Sequence, residues 1–455
     1  MVRGWYTQQG DTLEFTAEIV DARQGRSLDV VRPTRAARLE PLLGLAALRP
    51  EVTRALATLS SPGLAAWAGL PDRPPTFAAY REYLKGVEEL RGDAADAAVH
   101  LKAAFALDST LTGALVLAAG ALGPAAAADS VVHLLEPRRR QLTPYERYRL
   151  DELRALIRGD NAAVSENALL ALGVMPGSVD AIIDAAGAAL NTNHPRAAVR
   201  LLSEADPERG WLREWEHYWW MLTSSEHMLG DYRQELADAQ RGRRLFPNLL
   251  PMLGNEIRAL AAVGRLDEVQ RDLDESGSLR SWGWFNHLFL LVMTGQELRV
   301  HGHEAAARRV FDRALTWYTA LPPRDQQADQ WTYAALLGAL GRWKEARVLY
   351  EKIWAADPHN LQAAGWFGEA AAAMGDSRAA MRVAAVLQGW RGPYQLGLET
   401  EGRARIEAAL GDRERAVSLL RKAFAQGRVY TVYTHWSMPG LWRYPPFLDL
   451  LRPKG

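Results

Sequence analysis

The chain of 455 residues contains no cysteine. That excludes disulfides, thiolate metal sites and a cysteine nucleophile. It also lacks charge of either sign in excess, with 54 basic and 54 acidic residues balancing to a net charge of zero. No basic surplus speaks for a nucleic-acid or anionic-membrane partner, so neither is expected. A long apolar run is missing too. The stretch from Leu111 to Ala128 is rich in Ala and Gly and broken by Pro124, short of a membrane span. The opening Met1-Val-Arg-Gly-Trp-Tyr has no apolar core of a signal peptide, and a cytoplasmic location is the default expectation.

Catalytic texts are absent as well. There is no G-x-x-x-x-G-K-[ST], no G-x-G-x-x-G and no G-x-S-x-G, nor the His-Arg-Asp and Asp-Phe-Gly triplets of protein kinases. His303-Glu304 opens a zinc-protease-like text, but Ala307 stands where the second His belongs. His301 and His303 flank Gly302 and are read as solvent-exposed residues of a turn. Adjacent carboxylates such as Asp151 and Glu152 point to different faces of a helix. The expectation is therefore no catalytic residues, no metal site and no cofactor.

What is present is a recurrent glycine. Gly230 and Gly264 lie 34 residues apart, as do Gly341 and Gly375, and Asn193 follows Gly159 by the same 34. Gly302 and Gly411 continue the series, and Gly92 begins it. Five residues after the glycine stands a small residue: Ala307, Ala346, Ala380, Ala416. Large apolar residues follow it, as at Phe311 and Tyr350, and a proline often ends the unit, as at Pro176, Pro247 and Pro358. Glu235 breaks the rule of a small residue. A glycine at a helix C-terminus takes the left-handed backbone that stops the helix. The small residue lets a second helix approach closely, and the proline stops it. A period near 34 residues marks stacked helical hairpins.

This pattern resembles the tetratricopeptide repeat over roughly Pro75 to Gly427, about nine hairpins. The resemblance implies an all-α fold, an α-solenoid of stacked helical hairpins. It implies that the first helix of each hairpin lines a concave face, with the residues ten, six and three before the marker glycine turned inward. Those positions carry Arg149, Trp220, Ser224, His227, Arg258, Gln296, Arg299, Trp331, Glu369 and Arg405. The function implied is a protein–protein interaction scaffold, binding a peptide or partner domain with acidic and apolar groups in that groove. An enzyme or a glycan-binding protein with a site in the same groove is the alternative. Trp215, Tyr218, Trp219 and Leu222 form a helical stripe expected in the core, and Trp282, Trp284 and Phe285 are placed on another helix.

The first 35 residues read differently. Leu13, Phe15, Ala17 and Ile19 alternate with polar residues as a half-buried strand, after a turn at Gln9-Gly-Asp11 and a partner strand at Trp5–Thr7. A turn over Asp21–Gly25 and a third strand over Leu28–Val31 follow, then a helix over Ala36–Ser60. This segment looks like the closing strands of a TolB-amino-terminal-like domain. It implies that the chain is the regulatory arm of a larger bacterial kinase or transcriptional regulator, with any kinase activity residing outside it. The expected organisation is a β segment over 1–35, a helix and linker over 36–74, the repeat array over 75–427 and a capping tail over 428–455.

Overall fold

Alternation decides the first element of the structure. In the computed structural model, which describes residues 1–22, 25, 27–60, 75–90, 94–436 and 438–455, β1 (Val2–Gln9), β2 (Thr12–Val20) and β3 (Ser27–Ala37) form an antiparallel sheet in the order β1-β2-β3. Leu13, Phe15, Ala17 and Ile19 are buried against Leu48 and Ala55 of α1 (Pro41–Ser60), while every residue of β1 is exposed. The sequence places the start of that helix at Ala36. It begins instead at Pro41, because Arg35 and Ala36 still pair with Glu14 and Leu13 of β2. Arg23 and Gln24 of the second turn, Pro74, Gly92 and Ser437 lie outside the described residues.

The remaining described chain is helical, an all-α array of hairpins beside that small sheet. It divides into two units, one of residues 1–157 and 167–181, the other of 158–166 and 182–455. In the first, α2 (Phe77–Glu89), α3 (Ala94–Leu107), α4 (Thr112–Leu122) and α5 (Ala126–Leu135) pack each on the next, followed by α6 (Pro144–Arg158). Tyr83, Leu101, Leu115, Leu135 and Leu150 are buried there. The Leu111–Ala128 stretch is the short α4 and its flanks, and no helix among the described residues is long and apolar enough to cross a membrane. Arg149 belongs to this unit, on α6, and pairs with Glu152 one turn on.

After α7 (Asn161–Val174), which the two units share, the second unit runs α8 (Val179–Asn191), α9 (Pro195–Leu202), α10 (His217–Leu229), α11 (Tyr232–Leu245), α12 (Leu250–Val263), α13 (Leu266–Glu275), α14 (His287–Val300), α15 (Glu304–Thr319), α16 (Pro323–Ala328), α17 (Gln330–Ala339), α18 (Trp343–Ala356), α19 (Leu361–Ala373), α20 (Ser377–Gly389), α21 (Leu398–Leu410) and α22 (Arg413–Ala425). First helices of neighbouring hairpins pack on one another: α10 on α12, α12 on α14, α14 on α17, and α19 on α21. The marker residues sit where the pattern puts them. Gly159, Gly230, Gly264, Gly302, Gly341, Gly375 and Gly411 all have φ between 74° and 93°, and Asn193 has φ 64°. Ala307, Ala346, Ala380 and Ala416 are fully buried. The two longest intervals between successive turns from Gly159 on, Gly264 to Gly302 and Gly302 to Gly341, have visible reasons. A loop over 279–286 precedes α14, and the extra helix α16 precedes α17. Trp282, Trp284 and Phe285 therefore lie in a loop rather than on a helix; Gly283 takes φ 52°, and Trp282 and Phe285 form a short bridge.

The end of the second unit returns to its beginning. Asn161 Nδ2 donates to the Arg428 carbonyl, and the Tyr430 amide donates to the Asn191 carbonyl. Asn193 Nδ2 donates to the carbonyls of Leu451 and Arg452 at 3.3 and 2.9 Å. An asparagine thus serves this turn twice: it accepts the left-handed backbone, and its amide holds the last residues, which glycine cannot do. Phe447, on α23 (Pro445–Leu451), is buried with Leu420, Met438 and Leu441, so the tail covers the last hairpin as well.

Candidate functional site: an aromatic cavity beside a buried polar network

Within the second unit the inward offsets lead to two places. The first is a cavity of about 530 Å³ whose lining includes Gln296, Arg299, Trp331, Glu369 and Arg405, five of the ten residues expected from sequence. Its walls are aromatic: Trp284, Phe289, Trp331, Trp366, Trp436 and Trp442. Trp331 is half-buried, edge-on to Tyr350 at 5.6 Å and to Trp366 at 6.1 Å between ring centres. It is a wall with its own supports rather than a solvent-facing ring.

The cavity's cations are already matched. Arg405 donates to Glu369 at 3.3 Å, and its guanidinium lies 4.2 Å from the centre of the Trp366 ring. Burial pushes the Glu369 carboxyl up, with Arg405 opposing. Arg299 is held by Glu304 and by the Ala339 carbonyl and stacks 4.7 Å from the Phe311 ring centre. Arg428 pairs with Glu401 at 2.6 Å. From the sequence, arginines that recruit acidic groups are expected; the fold instead neutralises Arg299, Arg405 and Arg428 with Glu304, Glu369 and Glu401, leaving aromatic surface as the dominant chemistry of the cavity.

The second place is a polar network in the core. Arg258 is fully buried; its Nε donates to Glu235 at 2.7 Å and its Nη2 to Thr223 Oγ1 at 3.1 Å. Glu235, the residue that violates the small-residue rule, also meets His227 Nδ1 at 2.8 Å. Ser224 is fully buried, and Trp220 stacks on His217 at 4.7 Å. The Tyr433 hydroxyl reaches Trp220 and Arg258. Four expected groove residues, Trp220, Ser224, His227 and Arg258, thus lie in the interior, where His435 of the C-terminal segment approaches the His227 ring to 5.4 Å. The two ionisable ones, His227 and Arg258, are both paired with Glu235, because a buried charge is retained only where it is paired; the Ser224 hydroxyl is buried without a hydrogen-bond partner.

Glu297 on α14 links the two places. It is fully buried, and its Oε1 accepts from Trp436 Nε1, a cavity wall, at 2.7 Å. Its Oε2 faces His227, His301 and His435 at 3.6, 3.6 and 3.5 Å. Burial alone would raise this carboxyl; the imidazoles of His435, His227 and His301 outweigh it and hold the carboxyl well below its ordinary range. From the sequence, His301 is expected in solvent. Its side chain is only 15% exposed and turned toward Glu297, whereas His303 points at Gly264. A lone acid in the apolar text Leu288–Leu298 was the available signal for Glu297; nothing local marks His435, Trp436 or Trp442.

Residues 337–391, from the end of α17 through α20, match the family described as tetratricopeptide repeat. No curated protein matches the chain. Among solved structures, the chain is similar to a tetratricopeptide repeat protein from Parabacteroides merdae ATCC 43184, at 15% identity over 62% of this chain and 93% of that one, with a TM-score of 0.30. It is also similar to the TPR domain of P58(IPK), at 12% identity over 83% of this chain and 99% of that one, with a TM-score of 0.18.

Proposed function

We propose that the second unit is a non-catalytic protein-interaction module that takes a peptide or partner segment by an aromatic or long aliphatic side chain. The observation that carries this reading is the cavity of about 530 Å³ walled by Trp284, Trp331, Trp366 and Trp442. Ligand pockets are of this size and mostly apolar, with a few fixed polar groups to orient the guest. Here Gln296 Oε1 and Trp442 Nε1 are buried polar atoms without a hydrogen-bond partner. Interfaces draw most of their binding energy from a few anchors seated in desolvated pockets, tryptophan above all. As the finer part of the same proposal, the module is the regulatory arm of a signalling or transcriptional regulator. Reading the gene upstream for a kinase or DNA-binding domain in frame tests that part.

The binding reading is tested by display selection of peptides on the full chain, followed by calorimetry of those selected. Peptides should converge on a shared aromatic or long aliphatic residue. Trp331→Ala should weaken them by about 2 kcal/mol, roughly thirtyfold, as loss of a hot spot does, while circular dichroism keeps its helical signal. Peptides that bind the variant as well as the parent chain would remove the cavity from the account. A glycan saturating the same walls would replace the peptide as its guest.

A further inference from the structure

Four side chains converge inside the second unit from three separate parts of the chain. His227 comes from the last turn of α10, Glu297 from the last turn of α14, His301 from the C-cap just after it, and His435 from the segment after α22. One ligand atom from each lies within 4.8 Å of every other. From Glu297 Oε2 the three imidazole nitrogens stand at 3.5 to 3.6 Å. A tetrahedral zinc ion with bonds of 2.0–2.2 Å sets its ligand atoms about 3.3–3.6 Å apart. The carboxylate-to-imidazole edges already have that length.

A second observation is independent of the spacing. Glu297 Oε2, His301 Nε2 and His435 Nε2 are buried and have no hydrogen-bond partner within the protein. Three unsatisfied polar atoms aimed at one point are costly unless something receives them. The surrounding groups are arranged as they are around a metal. Glu235 holds His227 by Nδ1 at 2.8 Å, which turns Nε2 toward the centre, and Arg258 fixes Glu235 in turn. Trp436 holds the other oxygen of Glu297. Ligating histidines are oriented in this way by a carboxylate on their far nitrogen.

We infer that His227, Glu297, His301 and His435 form a binding site for a single divalent transition-metal ion of zinc type. Three imidazoles and one carboxylate suit zinc, and the absence of cysteine leaves nitrogen and oxygen as the donors. All four positions come from protein, which makes the site structural rather than catalytic. Its role is a clasp. The ion ties His435, and with it the cavity wall Trp436, to the inner helices α10 and α14. The inference stands apart from the peptide reading; the clasp exists whether or not the cavity takes a guest.

The test uses the full chain, stripped with a chelator, reloaded with Zn²⁺ alone and desalted. The chain should retain one zinc per molecule and melt at a higher temperature than the stripped form, with Mg²⁺ having no such effect. His301→Ala and His435→Ala should each lose the metal on desalting, and His303→Ala, whose ring points elsewhere, should keep it. A parent chain that retains no zinc overturns the inference, and so does equal retention by the two ligand variants. If those variants fail to fold, the parent chain loaded with Co²⁺ decides. Intense visible bands of a four-coordinate nitrogen and oxygen site support the clasp, and their absence sinks it.

Discussion

Replacing Gly365 by alanine tests the packing on which the cavity wall depends. Gly365 on α19 and Gly402 on α21 face each other where those helices pack. A Cβ on Gly365 would stand 2.8 Å from the Cα of Gly402 and 3.7 Å from its carbonyl carbon. Two opposing effects follow. Alanine gains roughly 1 kcal/mol over glycine in a helix interior. Overpacking costs about 1–3 kcal/mol, and the upper end applies because backbone cannot rotate aside as a side chain can. The net expectation is a destabilisation of about 1–2 kcal/mol, borne by separation of α19 from α21 and felt next door at Trp366. Gly187→Ala on α8 is the matched control. Its Cβ would meet only Met221 Cε at 3.6 Å, an ordinary contact, so the helix gain of about 0.5–1 kcal/mol is kept. Urea unfolding of both full-length variants, followed by circular dichroism, measures the difference. Gly365→Ala as stable as Gly187→Ala would refute the reasoning, since the two helices would then have room that the contact distances deny.

Two further outcomes are expected. Arg258→Met leaves the fully buried Glu235 with His227 alone and should cost about 3–5 kcal/mol in urea unfolding; a loss below about 1 kcal/mol would mean that water reaches the carboxylate. Glu226 is buried, and that burial, with Asp238, Glu235 and Asp231 nearby, pushes its carboxyl from 4.5 up to about 9. Between those values the native chain holds a proton that the unfolded chain releases, so this group's contribution to stability falls as pH rises through the window and levels off above it. Glu226→Gln should therefore gain stability relative to the parent chain on going from mildly acid to alkaline pH; a difference that does not change with pH would show the carboxyl to be ionised throughout.

How far the sequence reaches is clearest at individual positions. Gly230, Gly264 and Gly411 are legible as helix stops, because the left-handed backbone they adopt is a property of one residue. Ala346 and Ala380 are legible as close contacts, since the hairpin repeats the same spacing each time. The strand parity of Leu13 to Ile19 is equally local. Trp284 was not legible: its loop interrupts the period, and a period read across an interruption assigns the wrong element. Arg258, Glu369 and Arg405 were legible as inward-facing but not as satisfied, because their oppositely charged partners sit 23 to 36 residues away on other helices.

The sequence by itself determined the hairpin, its stops and its close contacts, all properties of a window of about one repeat. Only the tertiary structure decided that residues 428–455 return across the inner helices to Asn191 and Asn193. It alone brought Trp436 to Glu297, 139 residues earlier, and His435 to His227 and His301. The physical reason is additive. Each hairpin adds a small rotation to the last, and where the tail lands depends on the sum over the whole unit, which no single window of residues contains.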